Sequence, residues 1–329
     1  MTRLFALGFA ITMAAPAEVK VEKTPYAGWP NCYRMTNGEV ELIVTTDIGP
    51  RVMRYGFVGG RNLFVEFKEQ LGKSGETAWQ ARGGHRLWFA PEDAKDTYAL
   101  DNTKIAFEIS GPGTITLTGN IEPETGLQKQ MIITMDPKGS HVRVMHHLKN
   151  TGKKARRLAP WALTMMAQGG TAITGFPPRG SHPKDLLPTN TLTMWAYTDL
   201  SDPRWKFTSK YLILRQDPKN PRPQKLGHFN PKTWGAYLLG TDLFIKQYAA
   251  NPSRPYPDMG ASYETFTNNQ FLEIETVGPL VDLQPGATVD HQEDWTLHRN
   301  VKIAAWTDAA LDRVIPSRLN EDWWASDRH

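Results

Sequence analysis

Between residues 39 and 148 the sequence is a succession of short stretches in which polar and apolar side chains alternate, each closed by a turn cluster. Glu39 to Thr45 and Arg51 to Phe57 are the first two. Lys104 to Ile109, Thr114 to Gly119, Gln130 to Met135 and His141 to Leu148 follow. A period of two places successive side chains on opposite faces of a strand. The punctuation is Gly111-Pro-Gly113, Asp136-Pro-Lys-Gly139 and Asn150-Thr-Gly152, all turn formers. Strands at this spacing fold as an antiparallel sandwich or barrel, so the chain is all-β. Thr307 to Val314 alone reads as a helix of any length. From Gly175 to about Pro231 the chain is rich in Pro, Asp and Lys, and long irregular loops are expected there over one end of the sheets. With no repeat, low-complexity tract or linker, one large β-domain is the simplest division.

A chain of 329 residues, 40% hydrophobic and 22% charged, can bury a sizeable core. The net charge of +4 is small, and the one basic cluster, Lys153-Lys-Ala-Arg-Arg157, reads as a solvated turn, so no nucleic-acid partner is expected. Cys32 is the sole cysteine, which excludes an intrachain disulfide. Arg3, the apolar run Leu4 to Met13 and Ala15-Pro-Ala17 have the form of an export signal. Residues 1–17 are therefore expected to be removed, leaving 18–329 periplasmic or secreted. No other apolar run is long enough for membrane insertion. Oligomeric state is not legible.

Three segments carry candidate chemistry. In Phe271-Leu-Glu-Ile-Glu-Thr276, Glu273 and Glu275 share a strand face with Phe271, while Leu272, Ile274 and Thr276 take the other. This suits a carboxylate-lined site, though taken alone the pattern is more often a half-solvated strand. Gly83-Gly-His-Arg-Leu-Trp-Phe-Ala-Pro-Glu92 sets His85, Arg86, Trp88 and Glu92 beside a Gly-Gly turn. These are an imidazole for proton transfer, a forked donor, a stacking ring and an acid. In the third, Asp242-Leu-Phe-Ile-Lys-Gln-Tyr248 followed by Pro255-Tyr-Pro-Asp-Met-Gly260 and Tyr263-Glu-Thr-Phe-Thr-Asn268, Lys246, Tyr256 and Asp258 are candidate hydroxyl ligands. Eleven Trp and ten Tyr supply flat faces for sugars or for a core. His146 and His147 point opposite ways on a strand. His291 and Glu293 share a face and read as a solvated pair. Glycine-rich phosphate loops, His-Glu-x-x-His and Gly-x-Ser-x-Gly do not occur, so neither cofactor nor metal is expected.

With these residues in place the chain resembles the galactose-mutarotase-like superfamily, the aldose 1-epimerases and their relatives, and within it an often exported branch. The likeness lies in Asn37-Gly-Glu-Val-Glu-Leu-Ile-Val44, Asp47-Ile-Gly-Pro-Arg-Val52 and Gly60-Arg-Asn-Leu-Phe64. It continues in Arg143 to Gly152 with Leu158-Ala-Pro-Trp161, and in Phe271-Leu-Glu273, Leu283-Gln-Pro-Gly286 and Trp295. It implies a large antiparallel β-supersandwich with a mono- or oligosaccharide in a concave cleft. It also implies a glutamate that deprotonates the anomeric hydroxyl and a histidine that protonates the ring oxygen, without metal or cofactor. Glu273 matches the glutamate, and Glu275 becomes a substrate ligand or a neighbour that raises its pKa. Trp161 stands where the family's main histidine is expected, which passes the acid role to His85. Arg86, Trp88, Glu92, Trp161, Lys246 and Asp258 would position the sugar. The alternatives are a non-catalytic carbohydrate-binding protein, or a polysaccharide lyase or hydrolase in which Arg86 and Lys246 hold a uronate carboxylate.

Overall fold

The computed structural model describes residues 18–325. The expected export signal, residues 1–17, lies outside the described residues. The strands are β1 (Lys20–Tyr26), β2 (Trp29–Thr36), β3 (Val40–Thr45), β4 (Val52–Phe57), β5 (Gly84–Ala90), β6 (Ala106–Gly111), β7 (Thr114–Ile121), β8 (Leu127–Met135), β9 (Val142–Asn150), β10 (Arg156–Met166), β11 (Thr171–Gly175), β12 (Leu192–Met194), β13 (Trp205–Phe207), β14 (Tyr211–Arg215), β15 (Gln224–His228), β16 (Lys232–Leu239), β17 (Asp242–Ala249), β18 (Tyr263–Thr267), β19 (Leu272–Val277), β20 (Val281–Leu283) and β21 (Thr288–His298). They form two antiparallel sheets. The eleven-stranded sheet runs β1-β2-β3-β4-β5-β10-β19-β18-β15-β12, with β20 paired to β10. The ten-stranded sheet runs β13-β14-β11-β16-β17-β21-β9-β8-β7-β6. The expected helix shrinks to one short piece, α1 (Asp308–Asp312), capped by the Thr307 side chain. The Gly175–Pro231 stretch holds four short strands, β12 to β15, as well as loops.

The sheets pack face to face. Leu42, Val44 and Val52 from the first meet Ile133, Val144 and Phe244 from the second. Tyr55, Phe64, Phe244 and Trp295 form a knot of rings 5.7–6.4 Å apart, spacing that suits tilted and edge-on aromatic contacts. The second sheet keeps its outer face wet at β8, which alternates strictly between buried and half-buried residues, whereas β16 and β17 are covered by the C-terminal segment through Val301, Leu311 and Ile315. The centre of the first sheet is covered too. β5 and β19 are buried along their whole length, because loops cover its outer face. Arg51 ties them down. Its Nη1 donates to the carbonyls of Ala81 and Gly83 at 2.7 and 2.8 Å, and its Nη2 pairs with Asp101 at 2.7 Å.

Gly83 and Gly84 make this covered strand possible. Both have positive φ, +96° and +75°. A Cβ on Gly83 would sit 1.9 Å from the Val65 carbonyl oxygen, and one on Gly84 would sit 2.3 Å from that of Val52. The Gly-Gly pair is therefore a close backbone crossing, at which no side chain fits.

Candidate functional site

The pairing of β5, β10, β19, β18 and β15 fixes what meets on the covered face. Leu163 on β10 lies opposite Arg86 on β5 and Glu275 on β19. Glu275 in turn lies opposite Glu264 on β18. One step along, Trp161 faces Trp88, while Met165 faces Glu273, which faces Phe266, which faces Lys225 on β15. Cross-strand neighbours on one face stand close enough to interact. The result is a row of acids and cations hemmed by rings.

These side chains line a pocket of about 240 Å³, walled by Trp79, Trp88, Tyr98, Trp161 and Phe266, with Arg86, Lys225 and Glu273 among its lining. Arg86 Nη2 donates to Glu273 Oε1 at 3.1 Å. The guanidinium carbon lies 4.2 Å from the Trp88 ring centroid. Lys225 Nζ lies 2.8 Å from Glu264 Oε2 and 3.1 Å from Glu275 Oε2, and 4.5 Å from the rings of both Trp161 and Trp195. The Trp161 indole N–H donates to Glu275 Oε2 at 2.9 Å. Glu92, at the exposed rim, accepts from the Tyr98 hydroxyl at 2.6 Å.

Burial dominates the titration of this cluster. It pushes the Glu273 carboxyl up to about 7; Glu275 adds to the rise, and Arg86 and Lys225 oppose it. Glu264 is likewise driven well above the carboxylate range by burial, against the pull of Lys225. Burial works against the charge on Lys225, yet Glu264 and Glu275 hold it protonated, well above the usual value. Asp258, on a loop with positive φ, is raised by burial and interacts with Glu264.

Of the residues singled out from the sequence, Glu273, Arg86, Trp88, Glu92 and Trp161 line one pocket. Glu275 adjoins it through Trp161 and Lys225, and Asp258 through Glu264. His85 and Lys246 do not belong to it. The alternation that turns Arg86 and Trp88 outward turns His85 inward, between the sheets, where it is fully buried. The expected His85–Glu273 acid–base pair is thereby split across the two faces of the sheet. Lys246 points into the same interior from the second sheet, so it cannot share a uronate carboxylate with Arg86. Tyr256 is a packing residue against Phe229 and Tyr248.

In the interior the polar groups close on one another. His146 Nδ1 lies 2.8 Å from the His291 carbonyl and must donate to it, so its Nε2 accepts. His85 Nε2, 2.8 Å away, is then the donor, and His85 Nδ1 accepts from the Thr164 hydroxyl at 2.9 Å. Glu293 accepts from Lys246 at 2.7 Å, from the Trp295 indole at 2.8 Å and from Thr276. Burial pushes His85 well below its usual range and His146 down to about 4, so both are neutral. His291 and Glu293, expected as a solvated pair, are buried here too. The ligand atoms of His85, His146 and Glu293 lie within 4.8 Å of one another, and His₂Glu is a zinc-type donor set. Yet the imidazoles are joined N–H···N, and the Lys246 ammonium already supplies the cation for Glu293. The group reads as a structural network.

Sequence reasoning missed Lys225, Glu264 and Trp79. Lys225 sits on a five-residue strand inside the Pro-rich stretch. Glu264 was recoverable, since Tyr263-Glu-Thr-Phe-Thr267 alternates and sets Glu264 and Phe266 on one face. A larger hollow of about 710 Å³ lies against the second sheet beside His141, Arg143, Arg318 and Trp323. Its His141 is already bonded to Asp136 and Asp294 on both ring nitrogens.

No known family's sequence model matches the chain. No curated protein matches it in sequence. In three dimensions it is similar to a galactose mutarotase-like protein from Lactobacillus casei, at TM-score 0.54 and 10% identity, covering 82% of this chain and 100% of that one. It is also similar to a galactose mutarotase related enzyme from Lactobacillus acidophilus, at TM-score 0.52 and 9% identity, covering 82% and 98%. The chain has the galactose mutarotase-like fold, as the resemblance implied.

Proposed function

We propose that the covered face of the first sheet binds a sugar and that Glu273 exchanges protons at its anomeric centre, as in an aldose 1-epimerase. The observation that carries this is a carboxyl near pKa 7 in a ring-walled pocket of about 240 Å³. Rings of this kind stack on the apolar faces of a pyranose. A group that titrates near the working pH is present in both protonation states, so it can take a proton from the anomeric hydroxyl and return one to the ring oxygen. The fold shared with mutarotase-like proteins supports the sugar. The sequence pattern in residues 1–17 supports action outside the cytoplasm.

One observation favours a second reading, a sugar-binding protein without turnover. Among the described residues the pocket lining contains no imidazole, and Glu273 is engaged by Arg86. Magnetisation exchange between α and β anomers, measured by two-dimensional NMR over a panel of free sugars, separates the two. The epimerase reading expects acceleration that Glu273→Gln abolishes while binding persists. Binding without acceleration in the wild type supports the second reading.

A further inference from the structure

The pocket contains donors that the chain itself leaves unanswered. Arg86 is 4% exposed. Its Nη2 is committed to Glu273, but among the described residues Nε and Nη1 have no acceptor, and neither does the indole Nε1 of Trp79. The two side chains are adjacent, with the guanidinium carbon 5.4 Å from the Trp79 ring centroid and the Trp79 and Trp88 rings 5.1 Å apart. Buried polar groups are almost always paired, so a cluster of unpaired donors in one corner of a cavity asks for a partner from outside the chain. Its chemistry is constrained. In this corner the deficit is of donors, two on the Arg86 cation and one on Trp79; the unpaired acceptors of the same row, Glu264 Oε1 and Glu275 Oε1, lie on the Lys225 side. A hydroxyl would accept, but it would bring a further donor into the same corner. A carboxylate, sulfate or phosphate only accepts, has several lone pairs on adjacent oxygens, and is the group that guanidinium recognises best. Lys225 lines the same pocket. Glu264 and Glu275 take two of its three N–H donors.

We propose that the ligand of this pocket is a sugar carrying an anionic substituent, whose oxyanion takes the unanswered donors of Arg86 and Trp79. This rests on the sugar reading above and names its substrate class. The ligand's oxyanion shares Arg86 with Glu273, which places the charged substituent beside the carboxyl that handles protons.

Calorimetric titration of the full chain tests it with glucose and galactose, their uronates, their 6-phosphates and their 6-sulfates. At least one anionic series is expected to bind about tenfold or more tightly than its neutral parent, and the series that does so identifies the substituent. Trp79→Phe keeps the ring and deletes the N–H. It is expected to weaken the anionic sugar about fivefold more than its neutral parent. Because Trp79 is half-buried on a loop, this variant keeps the test open if Arg86→Gln does not fold. Equal affinity for neutral and anionic sugars would overturn this inference and leave the sugar reading standing. Binding of no sugar would overturn both.

Discussion

Lys246→Met is the substitution that most sharply separates a structural role for the interior network from a functional one. Lys246 is wholly buried. Its Nζ donates to Glu293 Oε1 at 2.7 Å, to the Ala162 carbonyl at 3.1 Å and to the Thr164 hydroxyl at 3.2 Å. Methionine fills similar space without the charge. Glu293 then keeps the Trp295 and Thr276 donors but loses its counter-ion in a site with no water contact. Breaking a buried ion pair from one side costs about 3–5 kcal/mol. Urea unfolding at pH 7, followed by tryptophan fluorescence, should show that loss. Lys246→Met combined with Glu293→Gln should recover more than half of it, because no orphan charge remains. The loss should also depend on pH. In the wild type, Lys246 overcomes burial and holds the Glu293 carboxyl below its usual range, so that contribution is present above the unfolded pKa of about 4.3 and is lost as pH falls. In the variant the Trp295 and Thr276 donors remain, but without the ammonium burial outweighs them and raises the folded pKa above about 4.3. The folded state then binds more protons than the unfolded one, and the variant gains stability as pH falls from 8 toward 5. The neighbouring histidines, His146 at about 4 and His291 at about 3, stay neutral throughout that window. The gap to wild type should therefore narrow at pH 5. A loss below about 1 kcal/mol, a gap that ignores pH, or a well-folded variant that no longer binds sugar would refute this reasoning.

Three further outcomes are expected. Gly83→Ala forces a Cβ onto the Val65 carbonyl at positive φ and should lower the unfolding midpoint steeply, by an amount equivalent to about 2 kcal/mol or more, whereas Gly59→Ala, with open space around it, should cost about 1 kcal/mol from φ alone. Burial raises the folded pKa of Glu273 to about 7, so its contribution to stability is greatest below about pH 4.3 and declines as pH rises through 7. Glu273→Gln should flatten that part of the stability–pH curve, as measured by urea unfolding from pH 5 to 8. Trp161→Phe removes the N–H donor to Glu275 and should cost about 1 kcal/mol in the same assay, with the fold retained by circular dichroism.

The sequence announces strands whose polarity alternates and hides those in which it does not. β3, β4 and β6 to β9 alternate and were legible to within a few residues. β10 is buried on both faces for most of its length, so alternation in polarity is lost and it came into view only through the family likeness; β19 is as buried, yet its two glutamates kept the alternation. The short strands β12 to β15 were masked by the prolines between them. Glu273 and Glu275 could be read onto one face because parity on a strand is a strict rule, whereas Arg86 and Trp88 stood out by their place beside the Gly-Gly turn and Trp161 only through the family likeness. The same rule separates His85 from Arg86. Its pairing with Glu273 failed because a role taken from a relative outweighed the parity of this chain's own strand. Lys246 could not be assigned to a face of either sheet without knowing which sheet β17 joins.

The most direct measurement is an indole ¹H–¹⁵N correlation spectrum of the uniformly labelled protein, titrated with hexoses and hexuronates. The Nε1–H signals of Trp79, Trp88 and Trp161 report on the pocket, and that of Trp295, hydrogen-bonded to Glu293, reports on the interior. The account predicts that sugar moves the first three and leaves Trp295 in place. Shifts at Trp295 with the pocket signals unmoved would place ligand binding between the sheets and contradict it.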